Sequence, residues 1–319
     1  MIPEPGCLQP GNPAGFPLGQ PQVSSPGFVY WLPGVIYHGF HGAVMDRQGR
    51  IYTEPLDCLP EHFEFSQIKR RPLHFKGRVM ALSCTKNYFH WLLKMLPRLH
   101  MIERSEGSLD GIDAFFINKP TWQQEQVYRR LQIWDRCTVI DNSTYAVCRM
   151  LAAPSLAHDA AAWACRWVRT KLCPPEPSKR GRRIYAIRGN TAQRCVINED
   201  AVCKLLENYG FEIVDCSTLG VEEQAGLFAQ SDIVVAVHGA ALSNLVFCKP
   251  GTTVLEIFGA AANQKVYWLM SHRMGLRYYC LMAGPADAEG RNLVIDLELL
   301  SGNIERLISP PSVNLRKST

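Results

Sequence analysis

The sequence predicts an α/β protein whose C-terminal half is a doubly wound, Rossmann-like parallel sheet. Between residues 183 and 274 a short apolar run is followed by a helix-compatible stretch four times in succession, which is the pattern of consecutive βα units. The composition agrees: 47% hydrophobic and 20% charged residues over a length of 319 can fill two cores of ordinary size and exclude a disordered or fibrous chain.

Residues 1–26 hold seven prolines, with Gly6, Gly11, Gly15 and Gly19 among them. Such a segment cannot form a helix or a central strand and is expected to be an extended arm or a disordered tail. An N-terminal domain is placed at 27–173. From Phe28 the pattern is strand-like, and GAVMDRQGRIYTE sets two apolar runs around Asp46–Gly49, a hairpin signal. RVMALSC reads as a strand. Residues 87–104 carry Phe89, Leu92, Leu93, Leu96 and Leu99 at helical spacing, with a break expected at Pro97. DAFFIN and CTVID read as strands separated by a helix over 122–133, and a helix follows over 159–171. This alternation predicts a parallel sheet here too.

CPPEPSKRGR, residues 173–182, has the composition of a linker. The C-terminal domain, 183–290, then reads as strands over 183–187, 211–214, 232–237 and 253–258, with helices over 199–209, 221–230, 240–247 and 264–274. Right-handed crossovers put its ligand crevice at the carboxyl ends of the strands. The strand LRYYCL and a last helix over 297–307 end the pattern, and the segment 291–319 is expected to pack back on the N-terminal domain.

Lys and Arg exceed Asp and Glu by 34 to 29, a net charge of +5. That suits an anionic small ligand and gives no support to nucleic-acid binding. The twelve cysteines are scattered without a C-x-x-C pair, so they read as reduced thiols and not as a zinc or redox motif. No secretory leader is recognisable, and the uncharged segment 233–248 is too short to span a bilayer. A cytoplasmic protein is expected, with peripheral contact to an anionic membrane open to its basic surface.

The strongest chemical signal is DIVVAVHGAALSNLVF, in which a buried-type strand runs into His238, Gly239, Ala240 and Ala241 and then a helix start with Asn244. Small residues at such a turn let a diphosphate approach bare N–H groups and a helix dipole; alternatively, they only permit tight helix-on-strand packing. The motif is neither G-x-G-x-x-G nor a P-loop, which disfavours a dinucleotide oxidoreductase or an ATPase. Glu256 at the end of the next strand reads either as a ribose ligand or as half of a structural ion pair. Arg188, just after the first strand of this half, and Arg194, six residues later, could clamp phosphate, or could be exposed loop charges. In the N-terminal half Asn87, His90 and Lys94 share one helix face. There His90 is a candidate general base or a structural histidine.

Taken in order, NYFHWLLKMLPRL, then YAIRGNTAQRCVINEDAVCKLLENYGFEIV, then HGAALSNLVFCKPGTTVLEIF resemble the family 61 glycosyltransferases, bacterial members of capsular polysaccharide type included. The resemblance implies a GT-B architecture, two Rossmann-like domains facing a cleft. It implies an inverting transfer from a nucleotide diphosphate sugar, with UDP the expected carrier, to a glycan or lipid-linked saccharide. By position it makes His238, Gly239, Ala240 and Asn244 the diphosphate-side loop, Arg188 and Arg194 phosphate ligands, and Glu256 the ribose carboxylate. Asn87 and His90 become the catalytic residues on the acceptor side. Lys94 and Ile187 depart from the pattern, where an acidic residue and a serine are common. With no D-x-D triplet in the chain, neither a metal nor another cofactor is expected. The rival reading is a non-catalytic nucleotide-sugar-binding subunit of a polysaccharide assembly system.

Overall fold

The computed structural model describes residues 9–10, 27–39, 42–52, 72–82, 87–141, 144–155, 157, 159–174, 181–188, 195–259, 265–287 and 292–309. Within the proline-rich arm, Gln9–Pro10 (β1) forms an antiparallel edge pairing, the one sheet position where a missing N–H costs nothing.

The first sheet is built from β2 (Val29–His38), β3 (Ala43–Met45), β4 (Ile51–Tyr52), β5 (Leu73–Ala81), β6 (Ala114–Ile117), β7 (Cys137–Val139) and β8 (Tyr145–Pro154). Their order is β4-β3-β2-β8-β5-β6-β7. The expected hairpin is β3–β4, its turn tied by Asp46 Oδ1, which accepts the N–H groups of Gln48 and Arg50, both at 2.9 Å. This sheet is mixed, which corrects the parallel expectation. β5 pairs in parallel with β6 and β8, and β6 with β7, but β2, β3 and β4 join as an antiparallel meander. A hairpin start fixes that sense, because only antiparallel neighbours can be joined by so short a turn.

Among the described residues this half has the α-helices α1 (Tyr88–His90), α2 (Arg98–Glu106), α3 (Trp122–Arg130) and α4 (Ala162–Leu172). Between α1 and α2 the chain takes a wide π turn over Trp91–Met95, closed by the Leu96 amide donating to the Trp91 carbonyl at 2.9 Å. Pro97 is the cause. Its ring has no room over the carbonyl four residues back, so one extra residue is accommodated in the turn before it.

The second half contains β9 (Arg182–Ala186), α5 (Glu199–Asn208), β10 (Glu212–Val214), α6 (Val221–Gln230), β11 (Ser231–Val237), β12 (Thr253–Phe258), α7 (Val266–Met274), β13 (Arg277–Met282) and α8 (Leu297–Ile308). The strands lie in the order β10-β9-β11-β12-β13, all parallel, with β1 on the far edge. The order reverses between β9 and β11, so the crevice expected of a doubly wound sheet opens there. Two expectations are corrected. Residues Ala240–Phe247 form a 3-10 helix, not an α-helix. The last helix also stays with its own half: Leu300 and Ile304 of α8 join the cluster of Val202, Leu206 and Leu255, and Tyr209 at the end of α5 bonds Ser301 and Glu305.

The two sheets share a core, besides a separate apolar cluster on the other face of each. One apolar cluster runs from Leu93, Leu96 and Phe115 through Trp167 and Val168 of α4 to Val234, Phe247 and Tyr278 of the second sheet. Alternation along β12 turns Val254, Glu256 and Phe258 toward this shared core and Leu255 and Ile257 toward the opposite face. None of the helices among the described residues is long and apolar enough to cross a membrane.

Candidate functional site

β9 and β11 are apolar through their last residues, and each releases the chain where the sheet order reverses. Arg188 lies two residues beyond the end of β9, and its Nη1 donates to the carbonyl of His238 at 2.9 Å. The next residue, Gly239, is fully extended with φ 177° and ψ 175°, a conformation open to any residue. Its requirement is space. A β-carbon at Gly239 would stand 2.2 Å from Arg188 Nη1, so the guanidinium occupies the place a side chain would take. The turn thereby holds a fixed positive charge beside the first N–H groups of the Ala240–Phe247 helix, a combination suited to an anion.

A cavity of about 290 Å³ opens at this point. Ala186, Ile187 and Arg188 line it from the end of β9, Val237, Gly239, Ala240 and Ala241 from the end of β11, and Asp215, Cys216 and Ser217 from the end of β10. Tyr88, Thr121, Gln123 and Gln124 close it from the first half. Side-chain bonds tie these walls together. Tyr88 donates its hydroxyl to Asn244 Oδ1 at 2.9 Å, and Asn244 Nδ2 donates to Gln224 Oε1 at 2.7 Å and to the Ala241 carbonyl at 3.1 Å. Gln224 Nε2 in turn bonds the carbonyls of Cys216 and Leu219 at 2.9 and 3.0 Å. Gln123 Nε2 reaches the Ser217 carbonyl at 3.0 Å. Burial pushes the Tyr88 hydroxyl well above its usual range and the Cys216 thiol up to about 12. Both therefore stay protonated near neutrality, and Tyr88 serves this network as a donor.

Behind the turn, His238 is buried with its ring stacked on Phe258 at 5.2 Å and tilted against Tyr267 at 5.4 Å. Its Nδ1 pairs with Glu256 Oε1, while Tyr278 donates to Glu256 Oε2 at 2.5 Å. Loss of solvent raises the Glu256 carboxyl above its ordinary value, against the pull of His238 and Tyr278. Glu256 is 0% exposed and both its oxygens are engaged. The sequence leaves Glu256 either a ribose ligand or half of a structural pair; the geometry fits the second, a buried carboxylate that holds the His238 ring.

Asn87 caps α1, its Oδ1 accepting from the amides of Phe89 and His90 at 3.0 and 3.3 Å. His90 is half-buried, edge-on to Phe89 at 5.3 Å. Phe89 meets Tyr267 at 5.8 Å, so one row of rings runs from His90 through Phe89 and Tyr267 to His238. Lys94, one turn on, is an ion-pair partner of Asp159 at 2.9 Å. Of the residues singled out in the sequence, Arg188, Gly239 and Ala240 line the cavity and Asn244 braces its wall, whereas His238 and Glu256 are buried behind the turn and Asn87 and His90 stand at α1 outside the lining. Arg194 lies outside the described residues. Sequence reasoning missed Tyr88, Gln123, Asp215, Gln224, Tyr267 and Tyr278. Only Tyr88, adjacent to Asn87 in the motif, carried a local signal. Among the described residues, no group of three or more His, Cys, Asp or Glu side chains is placed to hold a metal ion.

Comparison with known proteins bears on this geometry. The xylan glycosyltransferase MUCI21 of Arabidopsis thaliana is 29% identical over 106 residues, which are 31% of this chain and 22% of that protein. The chain therefore matches about a fifth of the length of this curated relative. The sequence model of the family Glycosyltransferase 61 matches residues 88–255, just over half of the chain, from α1 through the cavity to β12. This chain belongs to the glycosyltransferase 61 family.

Proposed function

We propose that the chain is an inverting glycosyltransferase whose nucleotide diphosphate sugar sits with its diphosphate at Arg188, Gly239 and Ala240. The observation that carries this is the guanidinium seated in the space left by Gly239, at the mouth of the cavity where the sheet order reverses. At about 290 Å³ the cavity is at the small end of ligand sites, enough for the nucleotide part of a donor, UDP in our reading. The acceptor is a glycan or lipid-linked saccharide presented from the α1 side, in a GT-B-like arrangement of the two sheet-bearing halves.

In the reaction an acceptor hydroxyl oxygen attacks the anomeric carbon in line, the bond from that carbon to the diphosphate oxygen breaks, and the hydroxyl proton passes to a base. His90 takes that proton in this reading, on a backbone fixed by the Asn87 cap. Arg188, joined by Arg194, and the N–H groups after Gly239 stabilise the departing diphosphate. That fixed charge lets transfer proceed without metal. Titration calorimetry with UDP and UDP-sugars, with Arg188→Ala beside the wild type, tests the reading. Binding lost in the variant supports it, and equal affinity refutes it. Lys94, paired with Asp159, stands where an acidic residue is common in the family, which removes one candidate base and favours a second reading, a nucleotide-sugar-binding subunit without turnover. UDP release from a bound donor, measured with EDTA present, rules that second reading out.

A further inference from the structure

Away from the donor cavity, and sharing no lining residue with it, a groove of about 970 Å³ lies along α2 and α4. Its floor is a fixed lattice. The Glu103 carboxylate accepts Lys171 Nζ at 2.8 Å and Trp167 Nε1 at 2.9 Å, and stands 3.5 Å from His100 Nδ1. His100 in turn stacks on the indole of Trp163 at 6.0 Å and lies 6.2 Å from that of Trp167. Partial burial pushes the Glu103 carboxyl up, but its bonds from Lys171 and Trp167 outweigh that and hold it below the usual range, so Glu103 and Lys171 cancel as an ion pair. The rim does not cancel. Arg104 and Arg166 are exposed on the groove, and among the described residues neither guanidinium makes a hydrogen bond or ion pair.

Half-buried indole held upright by neighbours is a platform for the C–H face of a pyranose ring, and an unengaged guanidinium forks onto a carboxylate. A groove of this size accepts several sugar rings. The floor is neutral, Glu103 being paired with Lys171, so the charge that draws an anion comes from the two rim guanidiniums. We infer that this groove binds an acidic oligosaccharide, a run of sugars bearing carboxylates. The inference deepens the proposed function by naming the class of acceptor chain, and it rests on that function only for the word acceptor; binding itself is tested without turnover.

The full-length chain is titrated by tryptophan fluorescence and calorimetry with hexagalacturonate, neutral cellohexaose and hexauridylate, and separately with UDP. Hexagalacturonate is expected to bind about tenfold or more tightly than either other hexamer, with affinity falling as salt rises. Trp163→Ala weakens it about tenfold, and Arg166→Gln and Arg104→Gln each weaken it several-fold without changing cellohexaose binding or UDP affinity. Arg166 is exposed, so its variant keeps the fold and the test stands even where Trp163→Ala melts early. No binding of hexagalacturonate, equal binding of cellohexaose or hexauridylate, or affinity unchanged by Arg166→Gln overturns the inference. Loss of UDP binding with hexagalacturonate still bound refutes the donor site and leaves the groove standing.

Discussion

Substituting Gly239 by alanine isolates the seat of the Arg188 guanidinium. The backbone tolerates the change, because φ is 177° and extended backbone carries no penalty for a β-carbon. The obstacle is the 2.2 Å approach to Arg188 Nη1, the far end of a flexible side chain, which yields by swinging away. Folding stability therefore changes little, while the bond to the His238 carbonyl and the alignment with the anion are lost. A hydrogen bond to a charged group contributes about 1.5–3 kcal/mol, so nucleoside diphosphate affinity should fall roughly 10- to 150-fold. The assay is calorimetric titration of UDP into wild type, Gly239→Ala, Arg188→Ala and the double variant, with thermal melts alongside. If the methyl acts through the guanidinium, it costs almost nothing further once Arg188 is gone, so the cycle is strongly non-additive. Wild-type affinity in Gly239→Ala, or two losses that simply add, refutes the assignment of the turn as an anion seat.

Two further outcomes test the buried and the peripheral electrostatics. Glu256→Ala leaves His238 Nδ1 and the Tyr278 hydroxyl facing each other across a void, which should cost about 3–5 kcal/mol in urea denaturation. A loss below about 1 kcal/mol would show the pairing to be incidental. Glu103 ionises more readily folded than unfolded, so its contribution is present above the unfolded carboxyl value of about 4.5 and fades as pH falls through the lower folded value. Glu103→Gln should flatten that part of the acid limb of melting temperature against pH, and an unaltered limb contradicts it.

The second sheet was legible because each of its strands is a compact apolar run bounded by a turn residue, and the order of βα units leaves few topologies. The first was only half legible. β8, YAVCRMLAAP, is a central strand that pairs with both β2 and β5, yet its polar and apolar residues follow neither period, since the buried pattern changes midway from alternating to continuous. Arg188, His238 and Gly239 were readable from turn chemistry alone. Gln224 was not, since a glutamine on a helix reads as surface until Asn244 and the Cys216 carbonyl are seen to enclose it. Glu256 was visible as an anomaly in an apolar strand, but its partner Tyr278 comes from the neighbouring strand, and cross-strand identity needs register, which one sequence does not supply.

The unbroken apolar cluster beneath both sheets constrains how such a protein can diversify. Exchanging one half wholesale for that of a cousin would present mismatched knobs and hollows along α4 and the second sheet, and the Tyr88–Asn244 and Gln123–Ser217 bonds would lose one party each. New donor preferences are reached more cheaply by single replacements at positions such as Ile187 and Ala240, which line the cavity and make no side-chain bond across the seam.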